Sequence, residues 1–132
     1  PLGNAGAAYI FTRSGSTWTQ QAKITASDAQ AVDSFCWSVS MSSDGTSVIV
    51  GAYHEDTGAS DAGAVYVFSR SGSTWTQQAK IIASDIQADD RFGWSVSMSS
   101  NGTYVIVGAY LEDGGAGNPA SNAGAAYIYE AG

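Results

Sequence analysis

Apolar positions in this chain fall in short runs broken by Gly, Ser, Asn and Asp, and no stretch keeps a helical period of useful length. The pattern is plainest in the second half. Val65-Tyr66-Val67-Phe68 centres a predicted strand over residues 64–69, Arg70-Ser71-Gly72-Ser73 makes a turn, and a strand over 74–82 follows. After an acidic, polar loop over 84–91 come strands over 92–99 and 103–110, joined at Asn101-Gly102. Asn-Gly between apolar runs is a strong hairpin signal, because both residues accept positive φ. Asp44-Gly45 takes the same place earlier in the chain.

Facing patterns indicate how the strands pack. Alternation puts Phe92, Trp94, Val96 and Met98 on one side of their strand and Gly93, Ser95 and Ser97 on the other. Val105-Ile106-Val107-Gly108-Ala109 and Ala64 to Phe68 are apolar on both sides, so both faces need cover. Thr74 to Ile82 alternates Trp75, Gln77, Ala79 and Ile81 with Thr76, Gln78 and Lys80, as a partly solvated outer strand does. Strands graded from buried to exposed, with covered faces, describe propeller blades; a sandwich would carry polar residues outward on every strand.

A repeat carries the pattern through the chain. Ala5-Gly6-Ala7 recurs as Ala62-Gly63-Ala64 and Ala123-Gly124-Ala125, and Arg13 to Lys23 recurs unchanged as Arg70 to Lys80. Phe35 to Met41 matches Phe92 to Met98 except for Cys36 against Gly93, and Val48 to Tyr53 recurs as Val105 to Tyr110. The first two copies are offset by 57 residues (75 minus 18), and the third lies four further on, the extra residues falling around Gly117-Asn118-Pro119-Ala120. The fold expected is all-β: tandem four-stranded antiparallel blades, about two plus an extra strand, belonging to a larger or oligomeric assembly.

Composition narrows the function. Twelve acidic residues against five basic give a net charge of −7, which disfavours nucleic acid and anionic membrane surfaces as partners. No apolar run reaches the length of a membrane helix, so no membrane insertion is expected. Cys36 is the only cysteine, which excludes an intrachain disulfide.

Phe92-Gly93 followed by Gly108-Ala109-Tyr110 resembles the FG and GAP landmarks of FG-GAP repeats, which build integrin-α-like propellers and microbial and algal surface proteins. The run Trp-Thr-Gln-Gln-Ala-Lys, then Ala-Ser-Asp, then Phe-Gly-Trp-Ser-Val-Ser is similar to the non-animal branch. The resemblance covers Ala5 to Tyr129 and implies an innermost FG strand and an outermost Trp-Thr-Gln-Gln strand. Carried over, residues 1–4 are an N-terminal extension or tag scar, 5–34 hold the outer two strands of a first blade, 35–91 a complete blade, and 92–132 the first three strands of another. Cys36 departs from the FG glycine, and Tyr53 and Tyr110 from the GAP proline. Integrin-type repeats carry a calcium loop between FG and GAP. Here Ser42 to Thr46 has one Asp and Ser99 to Thr103 none, so no cofactor is expected and the calcium site is not carried over.

Among candidate sites, Glu55, Asp56 and Asp61 are the residues a metal would gather, against the alternative that Asp in these loops caps its own backbone. His54 is the single histidine, and no Ser-His-Asp set lies near it in sequence. Cys36 is expected as a buried small residue. Trp18, Trp37, Trp75 and Trp94 recur with the repeat and are expected to pack in the core, with sugar stacking the alternative. Asn101-Gly102-Thr103 fits an N-glycosylation acceptor. Phe35, Trp37, Phe92, Trp94, Tyr9, Tyr66 and Tyr127 are expected to carry packing and assembly.

The function expected is a non-enzymatic extracellular or cell-surface module for protein interaction or adhesion. One alternative is a subunit that assembles into a ring or filament by strand exchange and blade-face packing, because two blades leave bare faces and edges. A further alternative is a glycan-binding propeller. The partners expected are copies of this chain or further FG-GAP repeats, and a protein or glycan ligand.

Overall fold

A computed structural model describes residues 3, 5–113 and 122–130, and every regular element among them is a β-strand. In chain order these are β1 (Ala8–Ser14), β2 (Thr17–Ile24), β3 (Phe35–Met41), β4 (Ser47–Ala52), β5 (Ala64–Ser71), β6 (Thr74–Ile81), β7 (Phe92–Met98), β8 (Tyr104–Ala109) and β9 (Ala125–Glu130). They form three antiparallel sheets, β1-β2, β3-β4-β5-β6 and β7-β8-β9. Apart from Gly3, the extension read over residues 1–4 lies outside the described residues, as does the insertion around Gly117 to Ala120.

The sheets are stacked as blades. Between the second and third sheets the innermost strand β7 lies close against β3 and β4 and barely reaches β5, so these two sheets diverge outward. β4 shows why this sequence needs a stack. Val48, Val50 and Ala52 point into a core shared with Ile10, Ile24, Phe35, Tyr66 and Phe68. Ile49, from the other face, points into a second core with Val65, Phe92, Met98, Val105 and Val107. Burying each such side chain contributes roughly 1.5–3 kcal/mol, and one strand serves both cores only because a sheet lies on each side of it.

Polar contacts fix the spacing of the second and third sheets. Ser38 Oγ donates to the Gly93 carbonyl (2.9 Å), and Ser40 Oγ accepts from the Met98 amide (3.0 Å). Gly51 sits so close to the Gly93 carbonyl that a β-carbon there would collide with it.

Two local expectations change. At Asn101-Gly102 and Asp44-Gly45 only the glycine has positive φ (74° and 69°). The turn is therefore not the two-residue form: Gly45 N donates to Ser42 O (3.0 Å), and Asp44 Oδ1 accepts from the Thr46 amide (3.0 Å) and from Ser42 Oγ (2.8 Å). The side chain does the work that a second left-handed residue would otherwise do. Two-residue hairpins lie instead at Gly15-Ser16, between Ser14 and Thr17, and at Gly72-Ser73, between Ser71 and Thr74, with the glycines at φ 60° and 61°.

The second change concerns β3 and β7. Trp94 N donates to Arg91 O and Trp37 N to Ser34 O, both at 3.1 Å, closing a tight turn whose third residue has positive φ: Gly93 at 92°, Cys36 at 75°. The strand register shifts there, between Phe92 and Ser95 and between Phe35 and Ser38. Two surplus residues stand there in each strand, so Phe92, Val96 and Met98 still share one core, and only the tryptophan leaves the face that alternation gives it. Phe35 and Phe92 go into the cores, while the tryptophans are turned outward.

Candidate functional site

That turn builds an aromatic ladder at the end of the sheets where β3 begins and β4 ends. Trp37 meets Tyr53 at 5.0 Å between ring centroids, Tyr53 meets Trp94 at 4.7 Å, and Trp94 meets Tyr110 at 4.5 Å. Such tilted and edge-on contacts are favourable beyond their area. The Arg91 guanidinium lies over the Tyr53 ring at 5.7 Å and reaches Asp61 and Asp89 at 3.5 Å each. The expectation that all four repeated tryptophans pack in the core is corrected: Trp18 is 65 % and Trp37 54 % exposed, and Trp75 and Trp94 are half-buried. Tyr9 is also exposed, whereas Phe35, Phe92 and Tyr66 are buried and Tyr127 packs partly against Phe92.

Beside the ladder, one ammonium ties two blades together. Glu55 is 1 % exposed, and its carboxylate accepts from Lys80 Nζ (2.8 Å), the Thr57 amide (2.8 Å) and Thr57 Oγ1 (2.6 Å). The same Lys80 binds Asp28, from the loop after β2, and Asp28 also accepts from the Tyr66 hydroxyl at 2.9 Å. Burial acts to raise the Asp28 pKa, but its hydrogen bonds to Lys80 and Tyr66 outweigh this and leave it lowered. Burial likewise acts to lower Lys80, and its bonds to Asp28 and Glu55 leave it raised. Burial raises Asp33 and Asp90, each despite a backbone amide donated to its carboxylate.

The three metal candidates do not converge. Glu55 turns to Lys80, Asp56 Oδ1 accepts from the Asp61 amide (2.8 Å), and Asp61 faces Arg91. No three His, Cys, Asp or Glu among the described residues are grouped to hold a metal ion. The loops that carry calcium in integrin-type repeats do not fit it either. Asp44 is the single carboxylate there, and three hydrogen bonds of its own turn engage it, while Asn101 takes the same place in the other loop. A hard cation asks for six to eight oxygens.

The structure also brings together what sequence distance hid. His54 Nδ1 lies 3.0 Å from Ser34 Oγ, twenty positions away, and the His54 ring stacks on Tyr53 at 4.0 Å. None of the described hydrogen bonds sets a carboxylate on the other ring nitrogen, which a serine nucleophile's base would use for orientation. Asn101 stands exposed on its turn, with its side-chain oxygen accepting from Ser99 Oγ (2.8 Å) and the Thr103 amide (3.0 Å). Cys36 is partly buried against the first core, and burial raises its thiol pKa.

Antiparallel blades stacked face to face, with their innermost strands gathered on one side, define a β-propeller repeat protein. Residues 18–68 and 75–129 match the FG-GAP repeat family, and the chain belongs to that family. A search of curated proteins finds no match to it. FG-GAP repeats are generally non-enzymatic propeller modules and typically occur in extracellular proteins. No helix among the described residues is long and apolar enough to cross a membrane.

Proposed function

We propose that this chain is a non-enzymatic extracellular module whose task is protein interaction or adhesion. The observation that supports it is apolar surface open on both flanks of the stack: Val39 and Met41 on one, Tyr104, Ile106 and Ile128 on the other. Patches of this kind, lying on rigid sheets, are contact surfaces. The test is retention of chain-coated beads under flow on surfaces carrying extracellular proteins. Retention above an albumin-coated control, lost in Ile106→Lys with Ile128→Lys, is expected. Retention on none of them contradicts the proposal.

Self-assembly into a ring or filament is the second reading. It is favoured because the open flanks repeat apolar positions of the interface buried between the second and third sheets: Val39 and Met41 correspond to Val96 and Met98, and Ile106 to Ile49. Sedimentation of the purified chain tests it, and a sole species of 13.6 kDa would count against it. Glycan binding at the exposed tryptophans is a lesser proposal, which silence on a glycan array removes. Glycosylation at Asn101 is a proposal for a eukaryotic secretory host, read as a mass increase lost in Asn101→Gln.

A further inference from the structure

We propose that the β1–β2 hairpin of a second copy of this chain replaces β9 on β8, closing a composite four-stranded blade β7-β8-β1-β2. This deepens the self-assembly reading and rests on it.

The two strands are interchangeable by sequence. Asn4 to Ile10 reads Asn-Ala-Gly-Ala-Ala-Tyr-Ile, and Asn122 to Ile128 reads the same. β9 pairs with β8 as Val107↔Tyr127, Ile106↔Ile128 and Tyr104↔Glu130. In the same register β1 of a second copy sets Tyr9 opposite Val107, Ile10 opposite Ile106 and Thr12 opposite Tyr104. Among the described residues β1 pairs only with β2, whereas its counterpart β5 pairs with β4 on one edge and β6 on the other. The edge that β1 leaves open is therefore the one that meets a β4-type strand, and β8 is such a strand.

The exchange keeps what β9 gives and adds to it. Tyr127 donates its hydroxyl to Asp85 (2.8 Å) as Tyr66 does to Asp28, and Tyr9 carries the same hydroxyl. β9 brings no fourth strand among the described residues, while β1 brings β2 in hairpin with it. β2 repeats β6, so Lys23 of the second copy falls where Lys80 lies in the complete sheet, beside Asp85 and Glu112, the counterparts of Asp28 and Glu55. Charge complementarity thus names the occupant: a strand with a lysine at that position.

Both bare flanks close in the same event. An apolar groove of about 280 Å³ lies beside β1, lined by Ile10, Ile24, Val39, Met41 and Val50 among others. Its place relative to β1 is that of the inner two strands of a blade, which β7 and β8 of the other copy supply. Ile106 then covers Met41 and Val48, as Ile49 covers Met98 and Val105 within one chain.

Directly opposed residues of antiparallel strands lie about 4.5–5.5 Å apart between Cα atoms, within disulfide reach. The test uses the full chain carrying Cys36→Ser with Thr12→Cys and Tyr104→Cys, oxidised and run on a non-reducing gel beside a control chain carrying Cys36→Ser with Tyr104→Cys and Glu130→Cys. Exchange is expected to put most of the first chain into disulfide-linked multimers and to leave most of the second unlinked. Oligomers by sedimentation in which the first pair stays unlinked and the second closes within one chain would overturn the exchange while leaving self-association standing. Monomers of both chains would overturn the two together.

Discussion

Ile49 and Ile106 occupy the same place in two copies of one repeat, yet Ile49 is 0 % and Ile106 44 % exposed. Tyr53 and Tyr110 differ likewise, at 8 % and 46 %. Neither sequence nor strand geometry separates the members of each pair. What separates them is whether another sheet follows. Burial in this molecule is conferred by the neighbouring repeat, so each blade face is half of a core and a lone stack ends in two halves.

The sharpest break of this comparison uses its glycines. A β-carbon at Gly51 would meet the Gly93 carbonyl, a backbone group that also accepts from Ser38 Oγ, whereas at Gly108 it would meet chiefly the Ser95 hydroxyl, which can rotate. Gly51→Ala is expected to cost about 3 kcal/mol and Gly108→Ala less than about 1 kcal/mol, measured by urea unfolding of the dilute chain. Equal losses would mean that the two faces are not in different surroundings.

Next comes the clamp. Lys80→Met leaves the buried Glu55 carboxylate without its cation and releases Asp28 from the same blade contact. Breaking a fully buried pair costs roughly 3–5 kcal/mol, and because Lys80 keeps some access to water about 2 kcal/mol is expected. Lys23→Met, whose ammonium lies over the Tyr9 ring at 5.8 Å on an exposed strand, is expected to cost less than about 1 kcal/mol in the dilute chain.

Cys36 and Gly93 offer a smaller test of opposite sign. Cys36 holds φ 75° where only glycine is unstrained, so Cys36→Gly is expected to gain about 1 kcal/mol. Gly93→Cys is expected to lose more than that, since a β-carbon there comes within 2.6 Å of the Ala64 carbonyl.

The smallest effect is that of pH. Asp33 and Asp90 have raised pKa values, so the folded chain takes up protons first, and stability rises as pH falls from neutral toward the ordinary Asp value of 3.8. Asp28 is lowered, so its contribution is present above 3.8 and is lost as pH falls through its folded value. Lys80 is raised, and its contribution is present below 10.5 and lost above it. Thermal melts should show a maximum on the mildly acidic side, and the loss below 3.8 should shrink in Lys80→Met.

Much of the fold was legible in the sequence because a repeat exposes its own period. Arg13 to Lys23 and Arg70 to Lys80 had to form the same hairpin, and Val48 to Ala52 needed two covers whatever surrounded it. Alternation holds for Phe92, Val96 and Met98, which share one core, and fails only for the tryptophan, which the two surplus residues of the FG turn carry out of it. Trp37, which alternation assigns to a core, therefore lies on the ladder instead. The signal was present in Gly93 itself, since a glycine opening a strand marks a turn that needs it. The Ser34–His54 contact and the reach of Lys80 to Asp28 span loops whose closure no local pattern reports. Asp56 caps its own loop, but Glu55 and Asp61 pair with Lys80 and Arg91, partners that depend on which strand ends a propeller stack brings together.

The central claim is that these faces need a partner sheet. Sedimentation equilibrium on the purified 132-residue chain, over a range of concentration, tests it most directly. A mass that climbs above 13.6 kDa with concentration is the expected result. A constant 13.6 kDa, with a cooperative melt and no binding of an apolar dye, would contradict it.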